Sequence, residues 1–323
     1  MLSEVVASAP GKVILFGEHF VVEDQPAIAV AISKRARVRV KPNDSGKYCI
    51  YSRELDLSEE FGLHESRKQS PLYPIVVAAR AVENRAGVEV GLDIYIESEI
   101  PPSAGMGSSA AVAVATVAAT SELLELNLGK EDISNIAYRA ETIVHGKPSG
   151  IDNTISTFGG AIAFRKSEGF LQLEADFKPV KIVLADTGVP RNTGELVRRV
   201  LSLKEKYPQI FDPLYYAAGR LAVEAAKLIE RGEFEEVGRL MNVNHGLLSA
   251  IGVSILELEH LVYTARRAGA LGAKLTGAGG GGFMVALCRK EDTDKVAREL
   301  EKIAKRVIVG EISEEGVKIE KKV

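Results

Sequence analysis

Between Pro101 and Ala111 the chain reads PPSAGMGSSAA, a glycine-rich run opening onto small, helix-forming residues. Gly105 and Gly107 let the backbone come close to a ligand. The first turn of a helix adds N–H groups with no partner of their own and the positive end of the helix dipole. Together these features suit phosphate oxygens. Taken alone, GMGSSA also fits the loose G-x-G-x-x-A dinucleotide pattern, although it sits mid-chain behind two prolines with no ribose-binding acid at a strand end. A flexible turn before a helix is a third reading. The Gly-Lys-Ser/Thr ending of a Walker loop is absent from the run.

A second run, LTGAGGGGFMVAL from Leu275, sets five glycines among the six residues 277–282. Such density adds disorder to the unfolded chain that folding must remove, so it points to function, with a bulge that lets two elements touch as the structural alternative. Charged candidates gather at two further places. In SAPGKVILFGEHFVV, Lys12 and Glu18–His19 flank a short apolar strand; singly, a lysine is most often a solvated surface charge and a histidine most often structural. In ETIVHGKPSGIDN, Glu141 lies on a helix, while Ser149 and Asp152 lie on the glycine-containing loop after it. Two such acids can divide the work of phosphoryl transfer, one holding Mg2+ and one near the attacking hydroxyl; spacing alone does not assign the roles.

These groups need elements to hold them. Val5–Phe16 has an apolar strand pattern, and RARVRVKP from Arg35 alternates as a half-buried strand does. PLYPIVVAARAVENRAG from Pro71 carries helical periodicity up to a stop at Gly87, and VEVGLDIYIES alternates again. SSAAVAVATVAATSELLEL from Ser108 is a small-residue helix suited to close packing, with its amino terminus directly after the glycines. A second helix, KEDISNIAYRAETIVHG, leads through a loop to an apolar strand ending near Phe164. KIVLADTG from Lys181 starts a new strand, and helices are expected over 213–232, 233–251 and 254–268. The glycine turn then enters a strand, followed by the amphipathic helix EDTDKVARELEKIA and terminal strands.

With 323 residues the chain exceeds what one core usually organises, so two domains are the expectation. Its 46% hydrophobic and 26% charged residues are those of an ordinary globular protein. A net charge of -3 offers no basic field for a nucleic-acid backbone. No stretch approaches the roughly 18 apolar residues of a membrane span, and MLSEVVASAPGK lacks a cationic start followed by an apolar run. Cys49 and Cys288 lie far apart in apolar surroundings, which favours free thiols in a reducing compartment. The expectation is a cytoplasmic protein with neither nucleic acid nor membrane as partner.

Taken in order, APGKVILFGEH, PPSAGMGSSAA and KLTGAGGGGF resemble the three signature motifs of the GHMP kinases, the family named for galactokinase and the homoserine, mevalonate and phosphomevalonate kinases. The resemblance spans nearly the whole chain. HGKPSGIDNTIS from His145, DTGVPRNTGELV from Asp186 and MNVNHGLLSAIGVS from Met241 look like the members that phosphorylate mevalonate. Three departures, Phe20 for a common alanine, Glu23-Asp24 for a common Tyr-Gly pair and Phe283 for a frequent cysteine, remove no catalytic group.

The resemblance implies an α+β, two-domain fold: a ribosomal-protein-like α/β domain over 1–178 and a ferredoxin-like α+β domain over 179–323, with the active site in a cleft and a homodimer as the common assembly. It implies ATP as phosphoryl donor with Mg2+, and mevalonate as acceptor. Asp152 would take the proton of, or electrostatically orient, the C5 hydroxyl, with Lys12 beside it. Ser109 and Glu141 are similar to the Mg2+ ligands of the family. Pro102, Ser103, Ala104, Gly105, Met106, Gly107, Ser108 and Ser109 would wrap the phosphates. Glu18, His19, Ser149 and Thr193 would frame the substrate, and Gly277 and Ala278 would support the nucleotide and substrate loops. The rival readings are another small-molecule kinase of this family and a non-catalytic sensor that binds ATP and a ligand.

Overall fold

The computed structural model describes residues 2–101, 105–145 and 149–323. In chain order it forms β1 (Val5–Phe16), β2 (Ala27–Asn43), β3 (Lys47–Ser52), β4 (Leu57–Gly62), α1 (Tyr73–Ala86), β5 (Gly91–Ser98), α2 (Ser108–Leu123), α3 (Lys130–His145), α4 (Ile151–Phe158), β6 (Ala161–Arg165) and β7 (Gly169–Leu173). There follow β8 (Val180–Asp186), α5 (Thr193–Lys206), α6 (Pro208–Glu230), α7 (Phe234–Ala250), α8 (Leu256–Ala268), β9 (Gly272–Leu275), β10 (Phe283–Arg289), α9 (Thr293–Glu301), β11 (Arg306–Gly310) and β12 (Lys318–Lys322). Among the described residues no helix is long and apolar enough to cross a membrane.

The chain divides into two compact units: Met1–Lys12 with Ala31–Gly159 and Ser313–Val323, and Val13–Val30 with Gly160–Ile312. The linear division at 178/179 is a different partition. Strand pairing is the reason, since β1 and β2 each change unit partway along and β12 returns to pair with the start of β1.

In the first unit the strands run in the order β12-β1-β2-β5-β3-β4, with β2 antiparallel and β3 parallel to β5. The alternation in RARVRV is realised: Ala36, Val38 and Val40 are buried, and Arg37 and Arg39 are exposed. Arg35 breaks the pattern. It is buried and donates to Ser8 Oγ at 2.8 Å, Ser8 O at 3.1 Å and Gly316 O at 2.6 Å, which ties β2, β1 and the segment before β12 together. The alanines and valines of α2 are buried on all sides, so α1, α3 and α4 all pack directly against this one helix.

In the second unit an antiparallel sheet runs β11-β8-β10-β9, and β8, α8, β9, β10, α9 and β11 make a βαββαβ pattern with α5, α6 and α7 inserted between β8 and α8, the ferredoxin-like arrangement expected from the resemblance. Its core joins Val183, Leu258, Val262, Met284 and Leu300 to Phe20, whose ring meets Tyr215 edge-on with centroids 4.9 Å apart.

Three sequence expectations need correction. Asp152 is on no loop: it occupies the first turn of α4, which starts directly after Gly150 and whose β-branched Ile151, Thr154, Ile155 and Thr157 disguise its helical character. Helix α6 begins at Pro208, so Pro213 lies inside it; of the two prolines, Pro208 occupies the first helical turn, where the missing N–H costs nothing. Helix α5 went unread, although Asn192 caps it by accepting from Glu195 N at 3.2 Å.

Candidate active site

In the first unit, Lys12 on β1 is buried and its Nζ lies 3.0 Å from Asp152 Oδ1. Asp152 stands at the amino-terminal end of α4, where the helix dipole favours a carboxylate. The Lys12 amide donates to Met106 O at 2.9 Å, so the glycine-rich run lies directly against this strand. Gly107 caps α2 with φ 70, and a Cβ there would come 2.9 Å from Lys12 Cγ and 3.5 Å from Asp152 Oδ2. Only glycine lets the ion pair and the start of α2 approach this closely. Met106 is buried, Gly105 has positive φ, and Ser108 and Ser109 open α2, whose first-turn amides have no acceptor within the helix itself. Pro102, Ser103 and Ala104 lie outside the described residues.

Ser108 and Ser109 also line a cavity of about 420 Å3 with Glu54, Gln69, Ile75 and Ile96. One oxygen of Glu54 accepts from Ser98 N at 2.6 Å; the other is buried and has no hydrogen-bond partner among the described residues.

Glu141 is 7% exposed, and its Oε2 also lacks a hydrogen-bond partner among the described residues. Burial, and then the Asp152 carboxylate, push its pKa up to about 8 against the opposing Lys12 ammonium. A buried carboxylate oxygen without a partner is suited to a cation. Among the described residues no three His, Cys, Asp or Glu side chains gather as a metal-holding group. Ser149 stands just before α4, where its hydroxyl accepts from Ile151 N at 3.4 Å.

The remaining candidates lie in the second unit. Glu18 is buried and ion-paired with Lys274, itself fully buried and donating also to Leu275 O at 2.7 Å. Burial lowers the Lys274 pKa, opposed by Glu18. His19 has the strained backbone of a non-glycine residue at φ 63, and its Nε2–H donates to Ala278 O at 2.8 Å. Burial lowers its pKa as well, which favours the neutral ring that this one donor position fixes. Thr276 Oγ1 donates to Ile14 O at 3.1 Å, so three ties join the first motif to the glycine run.

Gly277 and the other glycines of the run all have positive φ; a Cβ on Gly279 would come 2.2 Å from Val253 O and one on Gly281 2.4 Å from Val189 O. Close backbone contact therefore accounts for part of that glycine density. Thr193 is exposed at the first position of α5. Just before it, Arg191 donates to Thr276 O at 3.3 Å and Gly281 O at 3.4 Å, and it lines a cavity of about 380 Å3 with Asn192, Glu195 and Arg199.

Sequence reasoning passed over Lys274 and Arg191. Both stand inside motifs already in view, and a lysine in an otherwise apolar strand is the signal that marks Lys274.

The family model of the GHMP kinases N-terminal domain matches residues 74–160 and that of the GHMP kinases C-terminal domain matches residues 225–306. The chain belongs to the GHMP kinases. Within that family it is 42% identical to the mevalonate kinase of Pyrococcus abyssi, over 98% of each chain, and 40% identical to that of Aeropyrum pernix, over 97% of this chain and 98% of that one. Among solved structures it resembles L. major mevalonate kinase in complex with R-mevalonate, with TM-score 0.81 and 34% identity over 94% of each chain. The Methanococcus jannaschii mevalonate kinase gives TM-score 0.85 and 29% identity over 96% of this chain and 98% of that one.

Proposed function

We propose that this chain is an ATP-dependent kinase of mevalonate, acting in the cytoplasm as a homodimer and supplying 5-phosphomevalonate to isoprenoid biosynthesis. The observation that carries the reading is the Lys12–Asp152 pair, 3.0 Å apart and pressed against Gly107 at the start of a phosphate-binding helix. Full-length similarity to mevalonate kinases selects the substrate.

ATP is the phosphoryl donor. The first-turn amides of α2 and the run from Pro102 to Ser109 receive the phosphates, and the cavity beside Ser108 and Ser109 takes the nucleoside. The Ser109 hydroxyl and the Glu141 carboxylate would hold Mg2+, which would supply neutralisation of the phosphate charge. Glu18, His19, Ser149, Thr193, Gly277 and Ala278 frame mevalonate.

Asp152 accepts the hydrogen bond of the C5 hydroxyl, and then its proton, while the Lys12 ammonium supports negative charge growing on that oxygen. The oxygen forms a bond to the γ-phosphorus as the bond from that phosphorus to the β–γ bridging oxygen breaks. ADP departs with the electron pair. No covalent enzyme intermediate is needed.

A coupled assay of ADP release with mevalonate, phosphomevalonate, homoserine and galactose in parallel tests the substrate. Release that depends on mevalonate is expected; release with another acceptor alone replaces this reading by a sister kinase. Asp152→Asn should lower kcat by at least about a hundredfold while ATP still binds. Turnover unchanged in that variant removes the mechanism.

A further inference from the structure

The two acids of the site stand on different helices, Glu141 on α3 and Asp152 on α4, and phosphoryl transfer depends on their separation. One side chain bridges those helices directly. Asn153, next to Asp152, is 4% exposed, and its Nδ2 donates to Ser134 Oγ at 2.8 Å and to Ser134 O at 3.2 Å. Because Ser134 O can only accept, the amide orientation is fixed by the contact itself. Ser134 lies seven residues before Glu141, two helical turns, so both face the same side of α3.

We propose that Asn153 is a positioning residue for phosphoryl transfer: clamped on Ser134, it sets the placement of Asp152 relative to Glu141. The inference rests on the roles given above to those two acids. Packing alone does not explain an amide here. Asn153 Oδ1 is buried and has no hydrogen-bond partner among the described residues, a cost that an apolar side chain of similar size avoids. What the amide supplies instead is direction, two hydrogen bonds to one residue of the neighbouring helix. Thr157 Oγ1 donates back to Asn153 O at 2.7 Å and Thr154 Oγ1 to Gly150 O at 2.7 Å, which stiffens the short helix that the clamp holds.

The test compares Asn153→Leu, Ser134→Ala and the double variant with the parent enzyme, each first verified as folded by circular dichroism and a cooperative melt above the assay temperature. Asn153→Leu should lose at least about tenfold in kcat while KM for mevalonate and for ATP each move by less than about threefold, the pattern of lost alignment rather than lost binding. Ser134→Ala, which leaves the carbonyl acceptor in place, should lose less. The double variant should be no slower than Asn153→Leu, since both substitutions break one interaction.

A folded Asn153→Leu enzyme with parental kcat overturns the proposal, as do losses that multiply in the double variant or a rise in KM with kcat intact. If Asn153→Leu fails to fold, Ser134→Ala decides: a lower kcat at parental KM supports the clamp, and parental kcat removes it. Turnover retained in Asp152→Asn is a separate failure, of the roles on which the inference rests.

Discussion

A lysine and an aspartate 140 residues apart in the chain meet at 3.0 Å, and the glycine between them and α2 leaves no room for a side chain. A methyl group on Gly107 has to displace Lys12 and must also hold a backbone at φ 70 that L side chains rarely adopt. Gly107→Ala should therefore lower kcat at least about tenfold through misplaced alignment and destabilise the fold by about 1 kcal/mol; steady-state kinetics and a urea titration on one preparation report both. The buried Lys274–Glu18 pair makes a different demand. Removing the ammonium in Lys274→Ala leaves the Glu18 carboxylate buried without it, and the expected loss is about 3–5 kcal/mol, read as a fall in the urea midpoint. Substitution of both by apolar residues of similar volume should recover much of that stability without recovering activity.

Short helices do the positioning. Helix α4, with eight residues, presents Asp152 in its first turn and Asn153 on the side facing α3. Helix α5 starts at Thr193, and its start depends on the Asn192 side chain accepting from Glu195 N at 3.2 Å. Asn192→Ala should cost about 1 kcal/mol, with a rise in KM for mevalonate where the start of α5 frays; unchanged thermal and kinetic behaviour would show the cap to be idle. Both helices were hard to read from sequence, for different reasons. Four β-branched residues in eight hide the helical period of α4. In α5 the Asn-x-x-Glu capping signal was present, but Gly194 inside it reads as a loop residue.

For the molecule as a whole, stability carries a pH dependence from inside the first unit. Glu83 on α1 is 1% exposed, and Tyr48 donates to its Oε2 at 2.5 Å. Burial pushes its pKa from 4.5 up to about 7, with the Tyr48 hydrogen bond opposing the rise. Between those values the unfolded chain has released a proton that the folded chain keeps. The contribution of Glu83 is therefore full below 4.5 and is lost as pH rises through about 7. Urea midpoints compared for the parent and Glu83→Gln between those two values should show a decline in the parent that the variant lacks. A parallel pair of curves would refute this linkage.

Much of the local structure was readable without coordinates, because the two glycine-rich runs act locally: a helix start and the backbone freedom around it are set by neighbouring residues. The alternating RARVRV strand and the small-residue helix α2 were legible for the same reason. Contacts between distant segments were not. That Lys12 reaches Asp152, that Lys274 meets Glu18, that Arg35 turns inward to hold Ser8 and Gly316, and that Asn153 clamps α3 are settled by which strands pair and which helices pack. The glycine-rich motifs specified a backbone free to make close approaches; tertiary packing chose the charges set beside it, since a charge in sequence takes a fixed place only when burial and a partner decide where it points.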